Sequence, residues 1–123
     1  RQGAAPAAER QGLSRPEREL IEDTLRVSAI TFTAEEGAKG VDAFLARHGA
    51  KPYAWLLYGS LGDLYLGQER WTDAAGAYRA FAQREPAHER APVLQSQAIE
   101  AYRRGGFAEL VLEGKREFVE SYR

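Results

Sequence analysis

Apolar side chains recur every three or four residues along most of this chain, a spacing that places them on one face of a helix. Six segments carry this pattern: residues 16–33, 36–47, 53–66, 72–84, 91–104 and 107–122. No segment keeps the alternation of apolar and polar residues that a half-buried strand needs. The pattern therefore predicts an all-α protein.

The apolar faces of these segments are expected to meet in one core. The third segment is apolar almost throughout, so we expect it at the centre. The residues predicted to point inward are Leu20, Ile21, Leu25, Ser28, Ala29 and Phe32 in the first segment, Val41, Phe44 and Leu45 in the second, and Leu110, Val111, Phe118 and Val119 in the last.

Residues that favour helix starts support these boundaries. Ser14 can cap the free amides of the first helix, Pro16 is tolerated in its first turn, and Glu17 suits the positive end of the helix dipole. Thr72 is predicted to cap the fourth helix. Residues 1–14 are rich in Gly, Ala, Gln and Pro, and we expect a linker or a frayed end there.

The middle of the chain carries a longer pattern of small and large residues. Its positions are Tyr58, Leu61, Gly62, Tyr65, Ala74, Tyr78 and Pro86. This spacing resembles the tetratricopeptide repeat (TPR), a 34-residue pair of antiparallel helices that stacks on copies of itself. A small residue on each helix, here Gly62 and Ala74, is needed where the two axes come closest. The resemblance implies an α-solenoid.

Weaker copies of the unit flank the central one. A shift of 34 residues towards the N-terminus finds Val27, Ser28, Gly40, Phe44 and Pro52 at matching positions, and a shift of 36–37 residues the other way finds Tyr102, Phe107 and Phe118. We therefore predict a TPR-like domain over residues 15–123 with three units, at about 16–52, 53–88 and 89–122. The alternative is a generic helical bundle with interfaces rich in Ala and Tyr.

The resemblance also implies a binding surface, because the first helix of each pair lines the concave groove of such solenoids. The corresponding positions are Glu22, Leu25, Ala29 and Phe32 in the first unit, Leu56, Gly59, Asp63 and Leu66 in the second, and Val93, Ser96, Glu100 and Arg103 in the third. One TPR subtype grips a carboxylate with Asn and basic residues. This chain has no Asn and has Asp63 at a clamp position, which argues against that ligand.

Composition narrows the choice of partner and of chemistry. The net charge of −1 gives no electrostatic footprint for nucleic acid, and no apolar run approaches the roughly 20 residues that span a bilayer. Without Cys there is no disulfide framework, thiolate metal site or cysteine nucleophile. A chain that opens at Arg1 and has no Met is expected to be a piece of a longer protein.

The residues that could perform catalysis have ordinary structural explanations. His48 and His88, the only histidines, fall at a helix end or in a turn, and neither belongs to a zinc-binding helix motif. Ser60 lies between two glycines, but Tyr58 occupies the place where a nucleophile elbow requires Gly. We therefore predict no catalytic, cofactor-binding or metal-binding residue, and expect no enzyme activity.

These observations predict a non-catalytic scaffold module of a larger bacterial protein that binds a protein or peptide in its groove. Two alternatives are self-assembly through apolar end helices, and a substrate-positioning arm of an enzyme whose catalytic part lies elsewhere. The run from Phe81 to Pro86 resembles bacterial cell-envelope repeat proteins, which implies the periplasm or cell envelope. A chain without Cys suits the cytosol equally.

Overall fold

The computed structural model describes residues 14–48 and 54–122, and this part of the chain is all-helical. The six helices within it are α1 (Arg15–Thr31), α2 (Ala34–His48), α3 (Ala54–Gly67), α4 (Trp71–Arg84), α5 (Ala91–Gly105) and α6 (Ala108–Tyr122). The described ranges contain no strand, so the all-α prediction is confirmed. Of the predicted linker over residues 1–14, all but Ser14 lies outside the described residues.

Two of the helices begin with a reciprocal capping arrangement. At α1, the Glu17 N–H donates to the Ser14 hydroxyl at 3.2 Å and the Ser14 N–H donates to the Glu17 carboxylate at 3.0 Å. Thr33 and Glu36 exchange the same two bonds ahead of α2, at 3.3 and 3.0 Å. Each arrangement provides hydrogen-bond acceptors for two backbone amides that have no partner within the helix. The predicted Ser14 cap is confirmed.

The turns that follow α3 and α5 share one geometry. In each, a backbone N–H reaches back five residues to a carbonyl; the pairs are Arg70 to Tyr65 and Phe107 to Tyr102. The residue before each donor is left-handed, with φ of 60° at Glu69 and 81° at Gly106. This is the Schellman ending of a helix, and it recurs after 37 residues, the spacing that the sequence suggested between Tyr65 and Tyr102.

The prediction that Thr72 caps α4 is wrong. The helix begins one residue earlier, at Trp71, so Thr72 lies inside its first turn. The residue before the helix is Arg70, whose side chain makes no capping hydrogen bond. The Schellman turn is the physical reason, because it delivers the chain into α4 without a separate capping residue.

The core lies where α3, α4 and α5 pack on one another. Its largest fully buried side chains are Tyr58, Tyr65, Tyr78, Phe81, Leu45 and Leu61. Burying such side chains stabilises the fold by roughly 1.5–3 kcal/mol each. The predicted close approach of α3 and α4 is present: a Cβ added at Gly62 would lie 2.7 Å from Tyr78 Cδ1 and Cζ, and Ala74 is fully buried.

The next helix pair, α5 and α6, has a similar close contact, but the large and the small residue have exchanged helices. Here the large residue, Ile99, is on the first helix of the pair, and the small one, Gly114, is on the second. A Cβ at Gly114 would meet Ile99 Cγ1 at 2.9 Å. Ile99 and Gly114 follow Gly62 and Tyr78 by 37 and 36 residues, so a close contact recurs at this spacing with the small residue on the other helix of the pair.

The helix pairs stack in sequential order. The helices α1, α3 and α5 lie side by side in one layer, while α2 packs against α4 in the other. This is the packing order of an α-solenoid. The α1–α2 pair is the loosest, because α1 packs more extensively on α3 than on α2. A mostly apolar hollow of about 210 Å³ is left between α1 and α2.

Buried tyrosines tie neighbouring pairs together through polar contacts. Asp42 on α2 accepts hydrogen bonds from the Tyr58 hydroxyl on α3 and from the Arg84 guanidinium on α4, the latter at 2.7 Å. The Tyr65 hydroxyl donates to the Phe32 carbonyl at 2.8 Å, and the Arg70 guanidinium donates to the same oxygen at 3.0 Å. These bonds fix the first pair against the second.

Three residues predicted to point inward are exposed instead. They are Leu20 and Phe32 on or beside α1, and Val119 on α6. Both helices lie at the ends of the described stack, where one flank has no neighbouring helix. The apolar stripe of each is wider than the surface that its neighbours cover, so its edge remains in solvent.

Candidate partner-binding groove

Two hollows flank α3 on the layer made by the first helices of each pair. The hollow between α3 and α5 measures about 120 Å³ and is lined by Trp55, Leu56, Gly59, Ser60, Asp63, Arg90, Val93, Leu94 and Gln97. The hollow between α1 and α3 measures about 240 Å³ and is lined by Glu22, Leu25, Arg26, Ser60, Asp63 and Leu64. Because Ser60 and Asp63 line both, the two hollows adjoin each other across α3, and together they are called the first-helix groove here.

Asp63 lies between the two hollows, and a residue of α4 fixes the orientation of its side chain. The Tyr78 hydroxyl on α4 donates to Asp63 Oδ1 at 2.5 Å. Tyr78 is only 2% exposed, whereas Asp63 is exposed. Burial, followed by the hydrogen bond to Asp63, raises the pKa of Tyr78 far above its usual value, so its hydroxyl remains a donor. The Asp63 carboxylate is thus oriented before any partner arrives.

Trp55 and Arg90 lie together in the wall of the hollow between α3 and α5. The Arg90 guanidinium lies 4.4 Å from the centre of the Trp55 ring, a cation–π contact between the N-terminal ends of α3 and α5. This leaves a positive charge beside Trp55 and a negative one at Asp63, about two helical turns further along α3. The hollow is therefore positively charged beside Trp55 and negatively charged at Asp63.

The structure brings only some of the predicted site residues together. Gly59, Asp63, Leu56 and Val93 line the same hollow. Of the others, Leu66 is half-buried and Ser96 is exposed, and neither lines a hollow of the groove.

Two further residues predicted for the groove, Glu100 and Arg103, form an ion pair with each other. Arg103 donates to Glu100 at 2.8 Å and pairs with it on the solvent-exposed side of α5. This hydrogen bond, donated by Arg103 and accepted by Glu100, lowers the pKa of the Glu100 carboxyl and raises the pKa of the Arg103 guanidinium. Neither residue lines the groove, so the structure places them outside it.

Leu25 and Ala29, two of the groove positions that the resemblance implies in the first unit, are covered by the neighbouring helix. Leu25 is 5% exposed and Ala29 is fully buried, because α1 leans on α3 through this face. Leu25 still forms part of the wall beside Asp63. The Ala29 carbonyl accepts a hydrogen bond from the Arg70 guanidinium, so its role is to join the first two pairs.

Sequence reasoning missed seven residues that line the groove: Arg26, Trp55, Ser60, Leu64, Arg90, Leu94 and Gln97. A signal for two of them was present, because Trp55 and Ser60 lie near Gly59 and Asp63 on the same face of α3. Arg90 precedes α5 and reaches Trp55 only through the turn after α4. That contact depends on the path of the chain and leaves no spacing pattern in the sequence.

The chain matches no protein-family model, no curated protein and no solved structure. Its function is therefore argued from its own residues. Among the described helices, none has the length and apolar character needed to cross a bilayer.

The buried tyrosines and His88 make structural contacts within the described region. The pKa values of Tyr58, Tyr65 and Tyr78 are raised chiefly by burial. His88 accepts a hydrogen bond from the Arg90 N–H at 2.9 Å and packs edge-on against Phe81 at 5.2 Å. Residues 14–48 and 54–122 contain no cluster of His, Asp and Glu that could hold a metal ion.

Proposed function

We propose that this chain is a non-catalytic protein–protein interaction module of the TPR type. It holds a segment of a partner protein in the first-helix groove. The observation that carries this proposal is that the two hollows adjoin at Ser60 and Asp63, which line both. A groove that crosses several stacked helices offers a partner segment many small contacts without requiring either protein to refold.

The repeat assignment is supported by the small residue at the α3–α4 contact and by the Schellman turns 37 residues apart. Gly62 against Tyr78 and Gly114 against Ile99 fulfil the need for close helix approach in two successive pairs. A generic helical bundle would not be expected to repeat both the small contact residue and the Schellman turn at the same spacing. The module serves, in this proposal, as part of a larger bacterial protein of the cell envelope.

Selection of peptides against the immobilised protein tests the function. A library of random dodecapeptides displayed on phage supplies the probe, and binding of each recovered peptide is measured by fluorescence anisotropy. Val93 is 43% exposed and lines the groove, so Val93→Glu should weaken binding of the recovered peptides at least tenfold. Val119→Glu is the matched control, because Val119 is 56% exposed on α6, outside the groove.

Two results would contradict the proposal. One is a selection that yields no specific peptide. The other is a set of peptides whose affinity responds equally to Val93→Glu and Val119→Glu, since the groove would then have no special part in binding.

A second function, self-association, is favoured by the apolar residues exposed on the end helices. These are Leu20, Val27 and Ile30 on α1, and Leu112 and Val119 on α6. In a solenoid the last helix of one unit packs against the first helix of the next, so α6 of one copy could stack on α1 of another. Sedimentation velocity from micromolar to millimolar protein tests this. Val119→Glu should shift the mass towards the monomer, and a parent protein that is monomeric throughout would exclude it.

Location in the cell envelope is a separate part of the proposal and rests on the resemblance of the run from Phe81 to Pro86. Cell fractionation of the intact parent protein in its own host tests it. Recovery with periplasmic or membrane-associated markers is expected, and recovery with cytosolic markers alone would contradict it.

A further inference from the structure

We infer that the first-helix groove selects a partner segment in which one lysine or arginine stands next to an aliphatic residue, with the basic side chain on Asp63. This inference rests on the proposed function and gives the chemistry of the partner. It is carried by the charge, the orientation and the surroundings of Asp63.

The carboxylate of Asp63 is prepared to receive a cation. Its Oδ1 already accepts a hydrogen bond from the buried Tyr78 hydroxyl, while the residue as a whole stays exposed. A fixed carboxylate loses less side-chain freedom when it forms an ion pair than a freely rotating one does. Ser60 and Gln97 line the same hollow and can accept further hydrogen bonds from an ammonium or guanidinium group.

The described residues supply no cationic partner for the Asp63 carboxylate. Among the described residues, no Lys, Arg or His forms an ion pair with Asp63, and the same holds for Glu22 in the adjoining hollow. Arg26 also lines that hollow, but it is paired with Asp23 at 2.8 Å. Two carboxylates on one groove thus lack a cationic partner within the described part of the chain.

The aliphatic part of the segment is set by the wall beside Asp63. Leu56, Val93 and Leu94 surround Gly59, whose missing side chain keeps the hollow open. A Cβ at Gly59 would be 3.5 Å from Leu94 Cδ2, an ordinary contact, so the helices themselves do not require glycine here. The open floor fits a branched aliphatic side chain of the partner.

The other end of the groove limits the number of basic residues. Arg90 lies beside Trp55 in the same hollow and repels a second cation there. The favoured segment therefore has no basic residue at the Trp55 end, which distinguishes it from a uniformly basic tail. An acidic or neutral residue suits the Trp55 end.

The experiment uses the random dodecapeptides recovered on the parent protein, together with a synthetic copy of the strongest binder in which each Lys or Arg is replaced by Gln. Asp63→Asn removes the charge but keeps an oxygen that can accept from Tyr78. Glu35→Gln is the control, because Glu35 lies on the opposite layer in the hollow between α2 and α4.

The expected peptides carry one Lys or Arg beside Leu, Ile or Val. Asp63→Asn should raise the dissociation constant roughly tenfold or more, as loss of one charge-assisted hydrogen bond implies, and Glu35→Gln should leave it within about twofold. The Gln-substituted peptide should bind the parent as weakly as the original binds Asp63→Asn, and raised salt should reduce the difference.

The outcomes separate this inference from the proposed function. Peptides that lose affinity with Val93→Glu but carry no basic residue, or that ignore Asp63→Asn, would overturn the inference and leave the function standing. Failure to recover any peptide would overturn both.

Discussion

Two glycines on one helix provide the sharpest test of the packing. Gly59 and Gly62 both lie within α3, so replacing either by alanine should gain the same intrinsic helix propensity, roughly 0.5–1 kcal/mol. Their surroundings differ. The new Cβ at position 59 would be 3.5 Å from its nearest neighbour, Leu94 Cδ2, whereas at position 62 it would be 2.7 Å from two carbons of Tyr78.

The size of the effect follows from how far the Tyr78 ring can move. Carbon atoms in contact prefer a separation of about 3.5–4.0 Å, so Gly62→Ala must push the ring away by about 1 Å. Tyr78 is buried and bonded to Asp63, which resists that movement. Overpacking costs ~1–3 kcal/mol, and a lost hydrogen bond adds about 0.5–1.5 kcal/mol. After the gain in propensity, we expect a net destabilisation of about 1–3 kcal/mol.

Urea unfolding followed by circular dichroism measures both variants. Gly59→Ala should unfold at higher urea than the parent, and Gly62→Ala at lower urea. The free energies of unfolding should differ by roughly 1.5–4 kcal/mol at similar dependence on urea. Equal stability of the two variants, or a more stable Gly62→Ala, would refute the close contact between α3 and α4.

Three more predictions concern the buried polar and small groups. Ala74→Leu should destabilise the fold by ~1–3 kcal/mol or more in the same urea assay, because the residue is fully buried at the α3–α4 contact; an unchanged midpoint would contradict this. Glu117→Ala should cost about 1–3 kcal/mol, because buried Gln95 donates to Glu117 at 2.8 Å and would lose its acceptor; a cost below about 0.5 kcal/mol would show that water replaces it. Burial raises the folded-state pKa values of Tyr58 and Tyr78 above their unfolded value of about 10, so their contribution is complete below that pH and is lost as pH rises beyond it. Unfolding free energy measured from pH 9 to 11 should therefore fall above about pH 10, less steeply in Tyr78→Phe, and an identical slope in that variant would contradict the assignment.

The helices could be predicted from the sequence because their signals are local. Ser14 and Glu17 lie within one turn of each other, and the three- and four-residue spacing of apolar residues needs no knowledge of the fold. The start of α4 was misplaced because the turn before it depends on a left-handed Glu69. Such a conformation is expected for glycine, and a glutamate gives no sign of it.

The groove was predicted only in part because exposure depends on how far neighbouring helices lean together. Gly59 and Asp63 lie on the central helix, which has a partner on each side, and the structure places both in the groove. Leu25 and Ala29 occupy equivalent positions on α1, but α1 packs on α3 and buries them. The hydrogen bond from Tyr78 to Asp63 joins two helices and could not be read from the spacing of either.

The central claim is that a partner segment lies in the first-helix groove, and NMR of the ¹⁵N-labelled protein tests it most directly. Titration with the strongest peptide from the selection should shift the backbone amide signals of Gly59, Asp63 and Gln97 and leave those of Lys39 and Gln83, on the opposite layer, unchanged. Shifts confined to Lys39 and Gln83, or to the end helices α1 and α6, would contradict the account.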